Sequence, residues 1–525
     1  MGWKAFLAMG AQKVSDEELS KRAALVKPGH CSVLVYTSGT TGQPKAVMLS
    51  HDTICAEAKS VMASLGASSG FGEVEEQERV LSYLPLSHVA GKMLDMVAPV
   101  TMTATCPGWG TVYYARNYDL KAGTIKDRLC VARPTIFLGV PLVWEKIADK
   151  LRAIGAETTG IKKDIATWAK GLGLQHAKDC LLGGAGRYPV GYGLANTLVL
   201  TNVKAALGLD QCKVAITGAA PIRVDTLEYF ASLGLSILEV YGMSETCAAS
   251  TVSTFQAHAW GSVGFELPGI EVKVFKVDVG GGGKKIECAK APGLESTDEE
   301  FQGEICMRGR TVMMGYLANP DLGPEHVAEI EQKTAEAVDS EGWMHSGDKG
   351  MITVAGLTKI TGRYKEIIIG EGGENIAPVP IEDHVKGQCD GIMEVMMVGD
   401  KRKYNVAIIT LKAVGANGEV PGTDALEAGA KRLNPEVSTI SAALDDKMWI
   451  DTVTAAITSA NNNGKICSNN SFKIQKFTIL PNNFSEEMGE LTPTKKLKRK
   501  EVERIYAVMI EKMYASKDTY VRYSA

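Results

Sequence analysis

Residues 36–49 read YTSGTTGQPKAVML and follow directly on the apolar run 32–36. Four hydroxyls (Thr37, Ser38, Thr40, Thr41), two glycines (Gly39, Gly42) and one cation (Lys45) stand close together. A strand feeding such a loop presents bare backbone N–H groups, hydroxyl donors and a positive charge, which are the groups that hold a polyphosphate. The loop is not a Walker A sequence, which needs G-x-x-x-x-G-K-[ST] opening a helix. Its glycines are three apart, and Pro44 biases Gln43 away from helical geometry. A Ser/Thr/Gly linker is the plain alternative; the lysine, the flanking strand and the clusters downstream favour phosphate.

Five clusters follow in order. GAAPI at 218–222 comes after a strand-like run, and its small residues (Gly218, Ala219, Ala220, Pro221) let a flat ring approach the backbone. Alone it reads equally as a strand-to-helix turn with Pro221 starting the helix. YGMSET at 241–246 sets Tyr241, Gly242, Ser244 and Glu245 at the end of a strand run, where ligands of open α/β sheets lie. Tyr241 can stack on a base and Glu245 can hold Mg²⁺; Glu245 is otherwise a solvated loop acid. WMHSGDKG at 343–350 offers a loop carboxylate, Asp348, able to accept from both ribose hydroxyls, or else an Asp-containing turn before a strand at 351–354.

In ITGRYKEIIIGEGGENIAP, 360–378, Arg363 is a fixed donor fork. Gly370, Gly372 and Gly373 make a loop whose backbone can pass close to a ligand; the alternative is a hairpin with a basic edge. GELTPTKKLKRK at 489–500 holds lysines that can neutralise a reacting carboxylate and phosphate. A solvated basic tail or a nuclear-import-like patch is the competing reading.

Taken together, YTSGTTGQPK, YLPLSH, GAAP, YGMSET, HSGD, GRYKE, GGENIAP and LTPTKKLKR resemble the adenylate-forming (AMP-binding) superfamily, from about residue 31 to 500. GWKAFLAMG, YLPLSHVAG, PTIFLGVPLVWEKI and GGENIAPVPIED are similar to long-chain fatty acyl-CoA synthetases of the bubblegum type. The resemblance implies an ATP-dependent fatty acid–CoA ligase that uses ATP, Mg²⁺ and CoA. An adenylate-forming ligase for another carboxylic acid, or a truncated nucleotide-binding pseudo-enzyme, stays open beside it.

By that resemblance, residues 37–45 cradle the β- and γ-phosphates and His88 sits by the acyl and phosphate site. Residues 218–221 and Tyr241 sandwich adenine, and Ser244 touches the α-phosphate. Glu245 binds Mg²⁺, while Asp348 and Arg363 hold the ribose. Lys365 is the hinge, Lys496 reaches the α-phosphate and carboxylate, and Gly372, Gly373, Glu374 and Asn375 approach the CoA arm. Three departures stand out: Ala46 in place of the usual glycine, which distorts the loop if that site needs positive φ; Leu142 where bubblegum-type enzymes tend to show arginine; and Ile369 in place of a lysine found in some luciferase-like relatives, a replacement expected for long-chain enzymes. Relatives carry a longer stretch ahead of the phosphate loop. With about 35 residues preceding it here, the large domain is expected to be incomplete at its N-terminus, leaving a sheet edge and apolar surface uncovered.

The elements that must position these residues are strands near 32–36, 80–84, 134–140, 211–217 and 236–241, with helices at 141–153 and 221–233. That alternation indicates an α/β fold of layered, largely parallel sheets. Residues 15–25 read as an amphipathic helix capped by Ser15, 278–303 as turns between short strands, and 320–342 as an acidic helical insert. A boundary is expected near TGRYKE: 1–362 as an AMP-binding domain, 363–366 as hinge, and 367–525 as a smaller, mobile α+β lid. Within the lid, strands are expected at 366–370, 392–399 and 406–411, a helix at 380–388, and a polar helical stretch at 413–470.

Charge and composition narrow the classes further. A net charge of −4 argues against general nucleic-acid binding. Eleven scattered cysteines without a C-x-x-C pair suggest neither a zinc site nor a disulfide framework and fit a reducing, cytoplasmic compartment. No apolar run reaches the ~18–20 residues of a membrane helix, and no signal peptide or myristoylation signal is visible. A long-chain acyl substrate is compatible with peripheral contact at the endoplasmic reticulum or another intracellular membrane. The sequence leaves oligomeric state open.

Overall fold

The computed structural model describes residues 2–37, 44–116, 118–119, 122–277, 285–492 and 495–524. Its strands run, in chain order, β1 (Cys31–Thr37), β2 (Lys45–Ser50), β3 (Gln77–Ser82), β4 (Trp109–Tyr114), β5 (Ile136–Leu138), β6 (Val214–Thr217), β7 (Ile237–Tyr241), β8 (Thr251–Val252), β9 (Phe265–Glu266), β10 (Ile270–Phe275) and β11 (Gly303–Gly309). They continue as β12 (Gly315–Tyr316), β13 (Met344–Ile352), β14 (Thr358–Arg363), β15 (Ile368–Ile369), β16 (Asn375–Ile376), β17 (Ile392–Val398), β18 (Asn405–Leu411) and β19 (Ile474–Ile479).

A seven-stranded sheet has the order β4-β3-β5-β6-β7-β8-β9. Strands β4 through β7 pair in parallel and β7-β8-β9 antiparallel. Helix Pro141–Glu157 follows β5, and Val224–Ser232 links β6 to β7. Pro141 sits at the start of its helix, where its missing N–H costs nothing. That helix buries Trp144 edge-on against Phe137 and Phe230, at centroid distances of 5.2 and 5.0 Å. The indole N–H donates to Ile216 O at 3.1 Å, so this buried ring leaves no orphan donor. Gly139 makes room for it: a Cβ there would lie 2.5 Å from the indole nitrogen.

The other sheets are β1-β2-β12 and β10-β11-β13-β14, both antiparallel. After residue 366 come the hairpin β15-β16 and the sheet β17-β18-β19, antiparallel then parallel. No strand after 366 pairs with one before it among the described residues. The later sheet carries its own core of Met397, Ala407, Ile409, Leu411, Trp449 and Phe477. Strands β1 and β4 are sheet edges, with Leu34, Tyr36, Trp109 and Tyr114 exposed.

Several expected bounds differ, for physical reasons. Among the described strands, parallel pairing is confined to the β4-β3-β5-β6-β7 run and β18–β19; the other strand pairs are antiparallel, and two of them, β13–β14 and β17–β18, are joined by short turns that do not allow a parallel crossover. The second helix begins at Val224, so Pro221 lies in a loop ahead of it. Strand β13 starts at Met344, not near 351, and contains the whole HSGD segment. The 366–370 run opens as a 3-10 turn, Tyr364–Glu366, and pairs only at Ile368–Ile369. Stretch 413–470 is mostly turns and short helices, with one long helix, Lys447–Asn461. Ala46 lies in β2, buried and opposite Tyr36, without positive φ, so it does not distort the strand.

Candidate active site

Asp348 and Arg363 are cross-strand partners in the β13–β14 pair. Arg363 Nε donates to Asp348 Oδ1 at 2.6 Å, and the Tyr241 hydroxyl donates to Asp348 Oδ2 at 2.8 Å. Asp348 is 3% exposed, so both oxygens are oriented by charge-assisted bonds in a dry setting. Ser346 braces the same segment, its hydroxyl donating to Ile305 O at 2.6 Å and accepting from Asp348 N–H at 3.0 Å. The expected loop carboxylate is therefore a strand carboxylate. Tyr241 is buried and already uses its hydroxyl to hold it.

Lys45 opens β2, and its ammonium lies over the Tyr316 ring, 4.5 Å from the centroid. The Tyr316 hydroxyl donates to Glu245 Oε1 at 2.9 Å. Burial pushes the Lys45 ammonium below its ordinary value, helped by Lys365 and opposed by Glu245. One aromatic side chain thus spaces a lysine from a carboxylate, and the exposed Lys365 of the 364–366 turn faces the same region. Thr37 closes β1 opposite Lys45. Ser38, Gly39, Thr40, Thr41 and Gly42 lie outside the described residues.

From the other end of the chain, Lys496 enters this region. Burial lowers its pKa first, then Arg363, while Asp348, Glu366 and Glu245 pull it back up. Burial likewise lowers His88, followed by Lys496. His88 Nδ1 accepts from Ala90 N–H at 3.2 Å, which caps the helical turn at 89–92 and fixes the ring. Lys495 adopts positive φ and pairs with Glu486 at 2.9 Å, so it is turned from the site. Beneath the tail, Arg499 donates to both oxygens of Glu382 at 2.7 and 2.5 Å and lies 3.6 Å from Glu366.

At the ends of β6 and β7 the backbone is crowded. Ala219 takes φ +70, a left-handed conformation rare without glycine. A Cβ on Gly218 would meet Val240 O at 2.8 Å, and one on Gly242 would meet Ala248 O at 1.7 Å. Ser244 and Glu245 occupy a 3-10 turn just beyond.

Gly372, Gly373, Glu374 and Asn375 are not brought to this cluster. They lie at the end of the β15–β16 hairpin, where Gly372 and Glu374, with Arg402, Lys403, Asn405 and Ser471, line a groove of about 310 Å³.

Tyr316, Ser346, Glu382 and Arg499 have no counterpart among the residues singled out from sequence. Glu382 and Arg499 sit inside quoted motifs, so position was a signal for them; Tyr316 lies in MGYLANP and had none.

Residues 4–317 match the AMP-binding enzyme family, and residues 365–518 match the AMP-binding enzyme C-terminal domain. The chain is 40% identical over 524 residues to the long-chain-fatty-acid–CoA ligase ACSBG2 of Gallus gallus, covering 98% of this chain and 62% of that protein. It is 35% identical over 520 residues to the Homo sapiens ligase of the same name, covering 98% and 70%. It thus spans less than two thirds of the Gallus gallus relative. Among solved structures, ATP-bound MatB from Rhodopseudomonas palustris superposes with a TM-score of 0.58 at 18% identity, over 94% of this chain and 73% of that one. O-succinylbenzoate coenzyme A synthetase MenE from Bacillus subtilis, in complex with ATP and magnesium ion, gives 0.56 at 19%, over 91% and 71%. These two likenesses concern the fold.

Proposed function

The chain belongs to the AMP-binding enzyme family, and from that premise we propose that it acts as an ATP-dependent long-chain fatty acid–CoA ligase. The names of its most similar relatives point to the acid and the thiol. The observation that carries the reading is the convergence of Lys496, from the far end of the chain, with His88, Asp348, Arg363 and Glu245.

In the proposed first step a fatty carboxylate oxygen attacks the α-phosphorus of ATP, the bond to the β-phosphate oxygen breaks, and pyrophosphate leaves. The barrier is the approach of two anions. Lys496 offsets charge on both, and Lys45 offsets charge on the leaving phosphates. Asp348, held by Arg363 and Tyr241, orients the ribose, and residues 218–221 flank adenine. Glu245 supplies a hard oxygen beside Lys45, a donor set that fits Mg²⁺ shared with phosphate oxygens. Bound there, Mg²⁺ would neutralise phosphate charge.

In the second step the CoA thiol gives up its proton to solvent, sulfur attacks the acyl carbonyl, and the bond from the acyl carbon to the AMP phosphate oxygen breaks, releasing AMP with the electron pair. We assign 1–362 and 367–525 as two domains turning about 363–366, with Lys365 as pivot, so that Gly372–Asn375 and Lys496 take turns at one site. ATP, CoA and a fatty acid are then the partners, with the acyl chain met at a membrane surface.

Pyrophosphate exchange tests this. Exchange with palmitate and not with 4-coumarate is expected; exchange with 4-coumarate alone would move the enzyme to another acid. ATP binding without exchange for any carboxylate would overturn the ligase reading.

A further inference from the structure

We propose that Glu304, Cys306 and His345 form a binding site for a divalent cation of the zinc class, behind the nucleotide-facing end of β13 and apart from Glu245. Strand geometry puts the three together. Glu304 and Cys306 are two apart on β11 and so share a face. His345 is the cross-strand partner of Cys306 in the β11–β13 pair.

Their donor atoms all lie within 4.8 Å of one another. Cys306 Sγ is 3.6 Å from His345 Nδ1. Bond lengths of about 2.3 Å to sulfur and 2.0–2.1 Å to nitrogen set a tetrahedral S···N edge of roughly 3.5 Å. His345 Nδ1 is 2.8 Å from Glu304 Oε2, a hydrogen bond that opens by about half an ångström to admit an ion between them. Thiolate, imidazole and carboxylate together select zinc-like ions over Mg²⁺ or Ca²⁺.

The surroundings are those that orient metal ligands. His345 Nε2 faces Asp339 Oδ2 at 3.1 Å, so the nitrogen away from the ion is held by a carboxylate. Asp339 is itself fixed by Lys285 and by the N–H groups of Glu341 and Trp343, at 2.8 and 3.0 Å. Glu304 Oε1 accepts from Gly347 N–H at 2.8 Å, leaving Oε2 for the ion. Cys306 is fully buried, which shields its sulfur from oxidants. Asp348 follows three residues after His345, so an ion here would anchor the strand that carries the Tyr241–Asp348–Arg363 cluster.

Without an ion, the same atoms make a histidine ion-paired between Glu304 and Asp339, and the experiment separates the two. The full chain, purified in EDTA and desalted, is titrated with Co²⁺ and followed by absorbance. One equivalent per chain, with a thiolate-to-cobalt band and tetrahedral ligand-field bands that Zn²⁺ abolishes, is expected. C306S should lose the thiolate band, H345N should lose tight uptake, and D339N should weaken affinity roughly 10–100-fold with the band retained. Far-UV circular dichroism checks that each variant is folded, and E304Q, which keeps the sulfur and ring, should still show a weaker band. No thiolate band in the wild type, or one that survives unchanged in C306S, overturns the proposal.

Discussion

Lys412 Nζ reaches Asp149 Oδ2 at 2.6 Å, tying the end of β18 to helix Pro141–Glu157. One turn earlier on that helix, Lys146 Nζ donates to Ala416 O at 2.8 Å. These bonds cross between the two proposed domains, and they hold the orientation in which Lys496 lies near Asp348. If the later region turns before the thiol attacks, they must break.

Asp149→Asn should therefore cost adenylate formation and not thioester formation. A half-buried pair of this kind is worth about 1 kcal/mol, roughly a fivefold shift. At low salt the variant should form acyl-AMP about fivefold more slowly while converting supplied acyl-AMP to thioester no more slowly than wild type. The difference should shrink at 1 M salt. Equal slowing of both half-reactions would end the idea of a latch.

Lys496→Ala should abolish acyl-AMP formation, by about 100-fold or more on the scale of one lost electrostatic donor. Thioester formation from supplied acyl-AMP should be spared. Lys495→Ala should leave both half-reactions near wild type, because Lys495 is engaged by Glu486. A large loss in Lys495→Ala with a small one in Lys496→Ala would reverse the assignment.

The tail shows what sequence could and could not tell. Spacing after T-P-T singled out Lys496 from its neighbours, but only the positive φ at Lys495 and its bond to Glu486 give the choice a physical cause. Asp348 was legible as a chemical group and mislaid as structure, since HSGD looks like a turn until β11 and β14 pair on either side of it. Tyr316 was invisible because its role arises between two distant segments, Lys45 and Glu245, and no local pattern marks such a meeting. The parallel core was readable from its apolar runs, whereas the turns of 413–470 look helical only because their polar residues also suit helices.

Tyr316 separates its two contacts cleanly. Tyr316→Phe keeps the ring under Lys45 and removes the hydroxyl from Glu245; it should weaken MgATP binding roughly ten- to a hundredfold, as for one hydrogen bond to a charged group. Glu245→Gln should weaken the Mg²⁺ dependence itself. Tyr316→Phe added to Glu245→Gln should then cost little more, since both act through one carboxylate. Additive losses in the double variant would show that Tyr316 acts elsewhere.

Glu239, in the middle of β7, gives a pH signature. Burial pushes its carboxyl up to about 8, against the Gly261 N–H that donates to it at 3.2 Å. The folded state then holds this proton more tightly than the unfolded chain, whose ordinary value is 4.5. Its contribution is fully present below 4.5 and is lost as pH rises through 8. Glu239→Gln stays neutral, so its melting temperature relative to wild type should climb by several degrees between pH 5 and 8.5, at roughly 2–4 °C per kcal/mol. A constant difference across that range would mean the carboxylate is ionised throughout.

Gly242 is the position where the turn after β7 has least room. A Cβ there would sit 1.7 Å from Ala248 O and 2.9 Å from Ala249 Cα, backbone atoms that cannot rotate away. The facing segment already holds Cys247 and Ala248 at φ +62 and +111, so it has little slack to yield. Gly242→Ala should cost more than about 3 kcal/mol and remove ATP binding along with stability. Gly155, in helix Pro141–Glu157 with open space around its Cβ position, is the matched control. Gly155→Ala should raise stability by roughly 0.5–1 kcal/mol and leave ATP binding unchanged. Thermal melts and ATP titration on the two variants decide it: if Gly242→Ala melts and binds as wild type does, the turn is not packed against Ala248.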